Sequence, residues 1–94
     1  MVPHPGIPSI VYDVMLGFPH GVAAGGPREV FISCNKLTSD LDLAARDIAT
    51  TISIALQHGA SLDDLAGAVS RGDDGKAQGV AGAVLDAIGE RMRA

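Results

Sequence analysis

The stretch TTISIALQHGASLDDL (residues 50–65) decides the fold, because it contains the end of one helix and the start of the next. Residues 48–62 include no Asp, Glu, Lys or Arg, although the chain has 94 residues and a formal charge of −4. A helix without charges on any side lacks an ordinary solvent-facing surface. We therefore predict that this segment lies at the centre of the core, with a second chain covering what one copy leaves open.

The residues before this stretch predict that the helix is long. Ser39 is a suitable N-cap, and Asp40 and Asp42 suit the positive end of a helix dipole. From Leu41 onward, apolar residues recur every three or four positions, which is the helical period. Gly59 is the predicted stop, because glycine readily adopts the left-handed conformation that ends many helices.

The residues after this stretch predict two further helices. Ser61 and Asp64 repeat the capping pattern ahead of a short helix. A polar loop follows, and residues 79–91 then predict a final helix. Gly82 and Gly89 weaken its intrinsic helical preference.

Two strands are predicted upstream of the long helix. In residues 9–16 one face carries the apolar side chains, and these are Ile10, Tyr12, Val14 and Leu16. Residues 28–34 alternate in the same way, and the Gly- and Pro-rich residues 17–27 predict a long hairpin loop. Residues 1–8 hold three prolines and are expected to form an extended, poorly ordered lead-in.

This order of elements predicts one α+β domain over residues 9–94. It consists of a two-stranded antiparallel β-hairpin followed by a long central helix, a short helix and a C-terminal helix. Helices on one face of the hairpin leave the strand edges open and the other face uncovered. The predicted interface is formed by residues from that face and from the long helix, namely Val11, Met15, Phe31 and Ile54. A homodimer is the economical way to bury them.

Composition disfavours several classes of function. The chain has 11 acidic and 7 basic side chains and no basic patch with interleaved aromatics, so direct nucleic-acid binding is not expected. No apolar run reaches the roughly 20 residues of a membrane span. The N-terminus does not resemble a secretion signal. The single Cys34 excludes an intramolecular disulfide and is consistent with the reducing cytoplasm.

The sequence lacks the residue patterns that a catalytic site or a metal site would need. Cys34 is interpreted as a small inward-facing apolar residue rather than a reactive thiol beside Lys36. The histidines and Cys34 do not have metal-ligand spacing, so no metal or cofactor is expected. Residues 70–79 (SRGDDGKAQG) fail the phosphate-loop pattern, because Gly75-Lys76 is followed by alanine. No catalytic residue is assigned.

One polar cluster precedes the long helix. Lys36 and Ser39 lie where backbone amides at a helix N-terminus favour an anion, which is the basis for an alternative nucleotide- or small-anion-binding function. Asp40 and Asp42 argue against anion binding, because their carboxylates would repel a phosphate group. Helix capping is the simpler role for Ser39.

The stretch REVFISCNKLTSDLDLAARDIATTISIALQHGASLDDL (residues 28–65) resembles the TSCPD domain. That domain is found at the C-terminal end of adenosylcobalamin-dependent ribonucleotide reductases and as small free-standing proteins. The resemblance lies in the strand EVFI, the turn NKLTSD and the helix end ISIALQHG, and it continues to the last helix. The cysteine motif that gives the family its name is absent, and Asn35 and Leu37 replace the usual turn glycines.

The resemblance implies an accessory or dimerisation module linked to deoxyribonucleotide synthesis, with a ribonucleotide reductase subunit as a further partner. It does not imply reductase activity. That chemistry needs several thiols, and this chain has one cysteine and is too short for the catalytic barrel.

Overall fold

A computed structural model describes residues 1–7, 9–19, 26–35 and 40–93. The elements in chain order are β1 (Val2–Pro3), β2 (Val11–Gly17), β3 (Glu29–Cys34), α1 (Asp40–Gln57), α2 (Leu62–Ala68) and α3 (Val80–Arg93). Within these residues the strands form one antiparallel sheet in the order β1-β2-β3. The predicted α+β class is confirmed.

The sheet has one strand more than the predicted two-stranded hairpin. In β1, Val2 pairs with Tyr12 and Pro3 pairs with Val11, within the stretch expected to be an extended lead-in. Proline lacks an amide hydrogen, but an edge strand tolerates it because only one side of the strand is paired. The hairpin is therefore corrected to a three-stranded sheet, with a proline on its outer strand.

The turn from β1 to β2 is organised by His4. Its amide donates to the carbonyl of Ile10 at 2.8 Å. Its ring nitrogen Nδ1 accepts the amides of Gly6 and Ile7 at 3.0 and 3.2 Å. The imidazole also stacks on the ring of Tyr12, with 6.2 Å between centroids. These local contacts return the chain into β2 and hold β1 against the sheet.

The core lies between one face of the sheet and the helices. Alternation along β2 and β3 places the predicted apolar side chains on this face, and Tyr12, Val30 and Ile32 are fully buried there. Helix α1 lies mainly over β3 and contributes its buried stripe of Ala45, Ala49, Ile52 and Leu56, while α3 contributes Val84, Leu85 and Ile88. Burying each large aliphatic side chain stabilises the fold by about 1.5–3 kcal/mol.

Helix α1 ends at the predicted glycine. Gly59 has φ = 99°, a left-handed conformation that other residues adopt only with strain. The amide of Ala60 donates to the carbonyl of Ala55 at 3.0 Å, and that of Gly59 donates to Leu56 at 3.2 Å. This pair of hydrogen bonds is a Schellman motif and satisfies carbonyls that the helix end would leave unpaired.

Helix α2 begins as predicted, and α3 packs closely beside it. The Ser61 hydroxyl accepts the amide of Asp64 at 3.0 Å, so Ser61 is the N-cap. In α3, a Cβ atom on Gly82 would lie 2.8 Å from Cβ of Ala77 and 3.2 Å from Cγ2 of Val69. Gly82 lowers helix propensity, but the close approach of α3 to the preceding segment requires it.

The loop between α2 and α3 is held by Arg71. Its guanidinium binds the carboxylate of Asp86 with both terminal nitrogens, at 2.7 and 2.9 Å. It also donates to the carbonyls of Ala66 and Gly75. The hydrogen bonds from Arg71 lower the pKa of Asp86, although partial burial acts in the opposite direction. The polar loop expected from sequence is therefore held in place between the two helices by the hydrogen bonds of Arg71.

Candidate functional site

A groove of about 680 Å³ runs along the free edge of β3, between the uncovered face of the sheet and helix α1. Met15 and Phe31 form its sheet wall, and Thr50, Ser53 and Ile54 form its helix wall. We name it the β3 groove. The exposed fractions of Met15, Phe31 and Ile54 are 67%, 53% and 53%. Single exposed apolar residues are common on proteins, whereas several that line one groove favour a binding surface.

The sheet wall follows from strand alternation. Met15 of β2 lies directly opposite Phe31 of β3 in the antiparallel register, so their side chains are cross-strand neighbours on the uncovered face. Asp13 and Glu29, on the same face, place a carboxylate toward each end of this apolar pair. The wall is therefore apolar at its centre and acidic at its ends.

Three uncharged polar side chains of the helix wall, those of Thr50, Ser53 and Gln57, already have partners inside the chain. The Thr50 hydroxyl donates to the carbonyl of Arg46 at 3.0 Å, one turn back in α1. The side-chain nitrogen Nε2 of Gln57 donates to the carbonyl of Arg28 at 3.3 Å. A buried donor left without a partner costs about 1–3 kcal/mol. These donors keep their internal partners when the wall is covered, so that cost does not arise.

Side chains of α1 cap the free edge of β3. The Val30 amide donates to Oγ of Ser53 at 2.8 Å, and that hydroxyl donates back to the Val30 carbonyl at 3.1 Å. The Cys34 amide donates to Oδ1 of Asp42 at 3.0 Å. The backbone amide of Ile32 lies between these two amides and, by strand alternation, points toward the same edge. Within the described residues β3 is an outer strand of the sheet, as expected, but helix side chains accept two of its outward-facing amides.

Three of the four predicted interface residues meet in the β3 groove, namely Met15, Phe31 and Ile54. Val11 is half-buried, pairs with Pro3 on the β1 side of the sheet, and does not line the groove. The capping role of Ser53 could not be predicted from the sequence, because it depends on where α1 crosses β3.

The predicted anion site cannot be assembled from the described residues. Lys36 and Ser39 lie outside them. Asp40 and Asp42 form the first turn of α1, and Asp42 is buried with Oδ2 accepting Nε of Arg46 at 2.9 Å. Two carboxylates in the first helical turn oppose the binding of an anion there, because they already occupy the positive end of the dipole.

Cys34 is on the inner face of the sheet and is 2% exposed. It lies opposite Tyr12, which is completely buried. Burial raises the pKa of the Tyr12 hydroxyl, and the neighbouring Cys34 adds to this effect. Among the described residues, the Tyr12 hydroxyl has no hydrogen-bond partner. A buried thiol packed in the core fits the interpretation of Cys34 as a small apolar residue and is poorly placed to attack a substrate.

The described ranges contain no group of three His, Cys, Asp or Glu side chains that could hold a metal ion. His58 is exposed at the end of α1, and His4 uses Nδ1 for the turn after β1. His20 lies outside the described residues. No helix in the described part of the chain is long and apolar enough to cross a membrane.

No protein-family model, curated protein or solved structure matches this chain. The groove must therefore be interpreted from its own residues. It offers the exposed apolar side chains of Met15, Phe31 and Ile54, polar groups that are hydrogen-bonded within the chain, and charged side chains of both signs. This arrangement suits the binding of another molecule's apolar surface.

Proposed function

We propose that this chain is a small, non-catalytic protein-interaction module and that the β3 groove is its docking surface. The observation that carries this proposal is the meeting of Met15, Phe31 and Ile54 in one groove whose helix-wall hydroxyl and amide groups are already hydrogen-bonded. Covering the groove removes apolar surface from water at a gain of about 25 cal/mol per Å². The hydrogen bonds of Thr50, Ser53 and Gln57 would be kept, so those groups would not be left unpaired when the groove is covered.

The resemblance to the TSCPD domain supplies a biological context for the proposal. It favours an accessory role in deoxyribonucleotide synthesis in the cytoplasm, with the chain itself or a ribonucleotide reductase subunit as the docking partner. The single buried Cys34 supports a binding role, because reductase chemistry requires accessible thiols.

The test is photo-crosslinking in the cells that make the protein. A benzophenone amino acid replaces Thr50, which is exposed and lines the β3 groove. The matched control carries it at Thr51, which is also exposed and whose hydroxyl bonds to the helix in the same way, but which does not line the groove. We expect a discrete crosslinked protein from position 50 and none from position 51.

Equal crosslinking from the two positions, or none from position 50, would overturn the proposed function. The mass of the crosslinked product identifies the partner class, because a self-complex has twice the mass of the chain.

A further inference from the structure

We propose that the occupant of the β3 groove is a second copy of this chain, in a two-fold symmetric dimer. This inference rests on the proposed function and adds the identity of the partner. In the dimer, the helix wall of each copy packs against the sheet wall of the other. Ile54 of one copy then lies between Met15 and Phe31 of its partner, and the same contact recurs on the other side of the two-fold axis.

The lining of the groove carries charges of both signs. A two-fold interface uses the same patch on both copies, so the patch must hold both signs of charge. The sheet wall carries Asp13 and Glu29, and the helix wall carries Arg46. The Arg46 side chain is 62% exposed and binds Asp42 through Nε, and its two terminal nitrogens make no hydrogen bond to the described residues. They are placed to meet a carboxylate of the second copy.

The capped edge argues against an added strand as the occupant. A peptide that extends the sheet must pair with outward-facing amides of β3. Ser53 and Asp42 already accept those of Val30 and Cys34. The occupant therefore binds through side chains in the groove, as a folded copy with a protruding Ile54 does.

The test uses two variants that restore each other. Ile54→Lys puts a charge on the helix wall, and Met15→Glu puts the opposite charge on the sheet wall. Either variant alone places an unpaired charge against an apolar wall at both symmetric contacts, so we expect its dimer dissociation constant to rise at least about 100-fold. In an equimolar mixture, the introduced lysine meets the introduced glutamate at one contact, and the other contact is native. We expect the mixture to form a heterodimer.

Light scattering after size-exclusion chromatography gives the mass, and circular dichroism confirms that each variant is folded. Both positions are exposed, so the fold should tolerate the changes. The control is Leu43→Lys, which changes an exposed apolar residue of α1 outside the groove and should leave the dimer intact. The charge-reversed pair, Ile54→Glu with Met15→Lys, should behave like the first pair.

A wild-type chain that remains monomeric at about 100 μM would overturn the second-copy proposal, because interfaces of standard size have dissociation constants of roughly micromolar or below. So would a mixture that fails to associate while the wild type is dimeric. If the chain is monomeric but position 50 still crosslinks a different protein, the proposed function stands and only the identity of the partner is wrong. The absence of any crosslink from position 50 would overturn both the proposed function and the second-copy proposal.

Discussion

At the scale of single residues, two helical glycines have opposite structural consequences. Gly82 in α3 lies against Ala77 and Val69, whereas Gly67 in α2 has no atom within 4 Å of the place where a Cβ would stand. Alanine is a better helix former than glycine, so propensity alone favours both substitutions. Packing reverses the expected result at Gly82, because the added methyl group must displace its neighbours.

We expect Gly82→Ala to lower the free energy of unfolding by about 1–3 kcal/mol, the usual cost of overpacking. Gly67→Ala should raise it by about 0.5–1 kcal/mol through helix propensity. Urea unfolding of both variants, followed by circular dichroism, measures the two changes. Stabilisation by both substitutions would show that α3 moves away from the preceding segment at little cost.

Ser53 is the second residue with a specific structural role. Its hydroxyl both accepts from and donates to the backbone of Val30 on the free edge of β3. We expect Ser53→Ala to lower the free energy of unfolding by about 1–2 kcal/mol, because the edge amide and carbonyl lose their partner. Thr50→Ala is the control, since that hydroxyl bonds only within α1, and it should change stability by less than about 0.5 kcal/mol.

The Ser53 substitution also tests the protection of the edge. An uncapped strand edge is a template for pairing with other chains. Ser53→Ala should therefore aggregate faster than wild type or Thr50→Ala at equal concentration, as measured by turbidity. Equal rates for all three would mean that bulk shielding by α1 protects the edge, without a contribution from the hydroxyl.

At the scale of elements, the Arg71–Asp86 pair fixes the connection between α2 and α3. Hydrogen bonds from Arg71 lower the pKa of Asp86 in the folded state. A carboxylate with a lowered folded pKa stabilises the fold above its unfolded pKa of about 4, and this contribution is lost as the pH falls below that value. We therefore expect Asp86→Asn to flatten the decline of unfolding free energy between about pH 5 and pH 2.5.

Urea unfolding at several pH values measures this slope. The control is a double-mutant cycle with Arg71→Gln, in which Asp86→Asn should no longer change the slope because the guanidinium is absent. An equal effect of Asp86→Asn in both backgrounds would assign the pH dependence to other groups near Asp86, such as Arg93.

Elements with a local cause could be predicted from sequence. Gly59 and Ser61 mark the boundary between α1 and α2, because a helix stop and an N-cap are made by the residues themselves. Alternation likewise placed the inner faces of β2 and β3. Strand β1 could not be predicted in this way. It is two residues long, and its existence depends on pairing with β2 and on the turn that His4 organises.

The candidate site was predictable only in part, for the same reason. Alternation along the strands exposed Met15 and Phe31, and the uncharged segment pointed to Ile54. Their meeting in one groove depends on where α1 crosses the sheet, and no local pattern specifies that crossing. The roles of Ser53 and Asp42 as edge caps depend on the same crossing, which is why they were missed.

At the scale of the whole molecule, one copy of the chain is a compact body that leaves apolar side chains exposed on its surface. Its extents are 34 × 32 × 24 Å, and helices cover one face of the sheet while Met15 and Phe31 remain exposed on the other. The uncharged residues 48–62 are likewise only partly covered by one copy. Ile52 and Leu56 are buried within one copy, whereas Ile54 is left half exposed on the helix wall of the β3 groove.

A dimer through the β3 groove should change the size of the particle with concentration. The radius of gyration of one copy is 12.8 Å, close to the roughly 12 Å expected for 94 compact residues. Twice as many residues in one compact body give about 16 Å. Small-angle X-ray scattering should therefore show the radius of gyration rising toward about 16 Å as the wild-type concentration increases. Ile54→Lys should remain near the single-copy value, and Leu43→Lys should follow the wild type, because only the first places its charge in the groove.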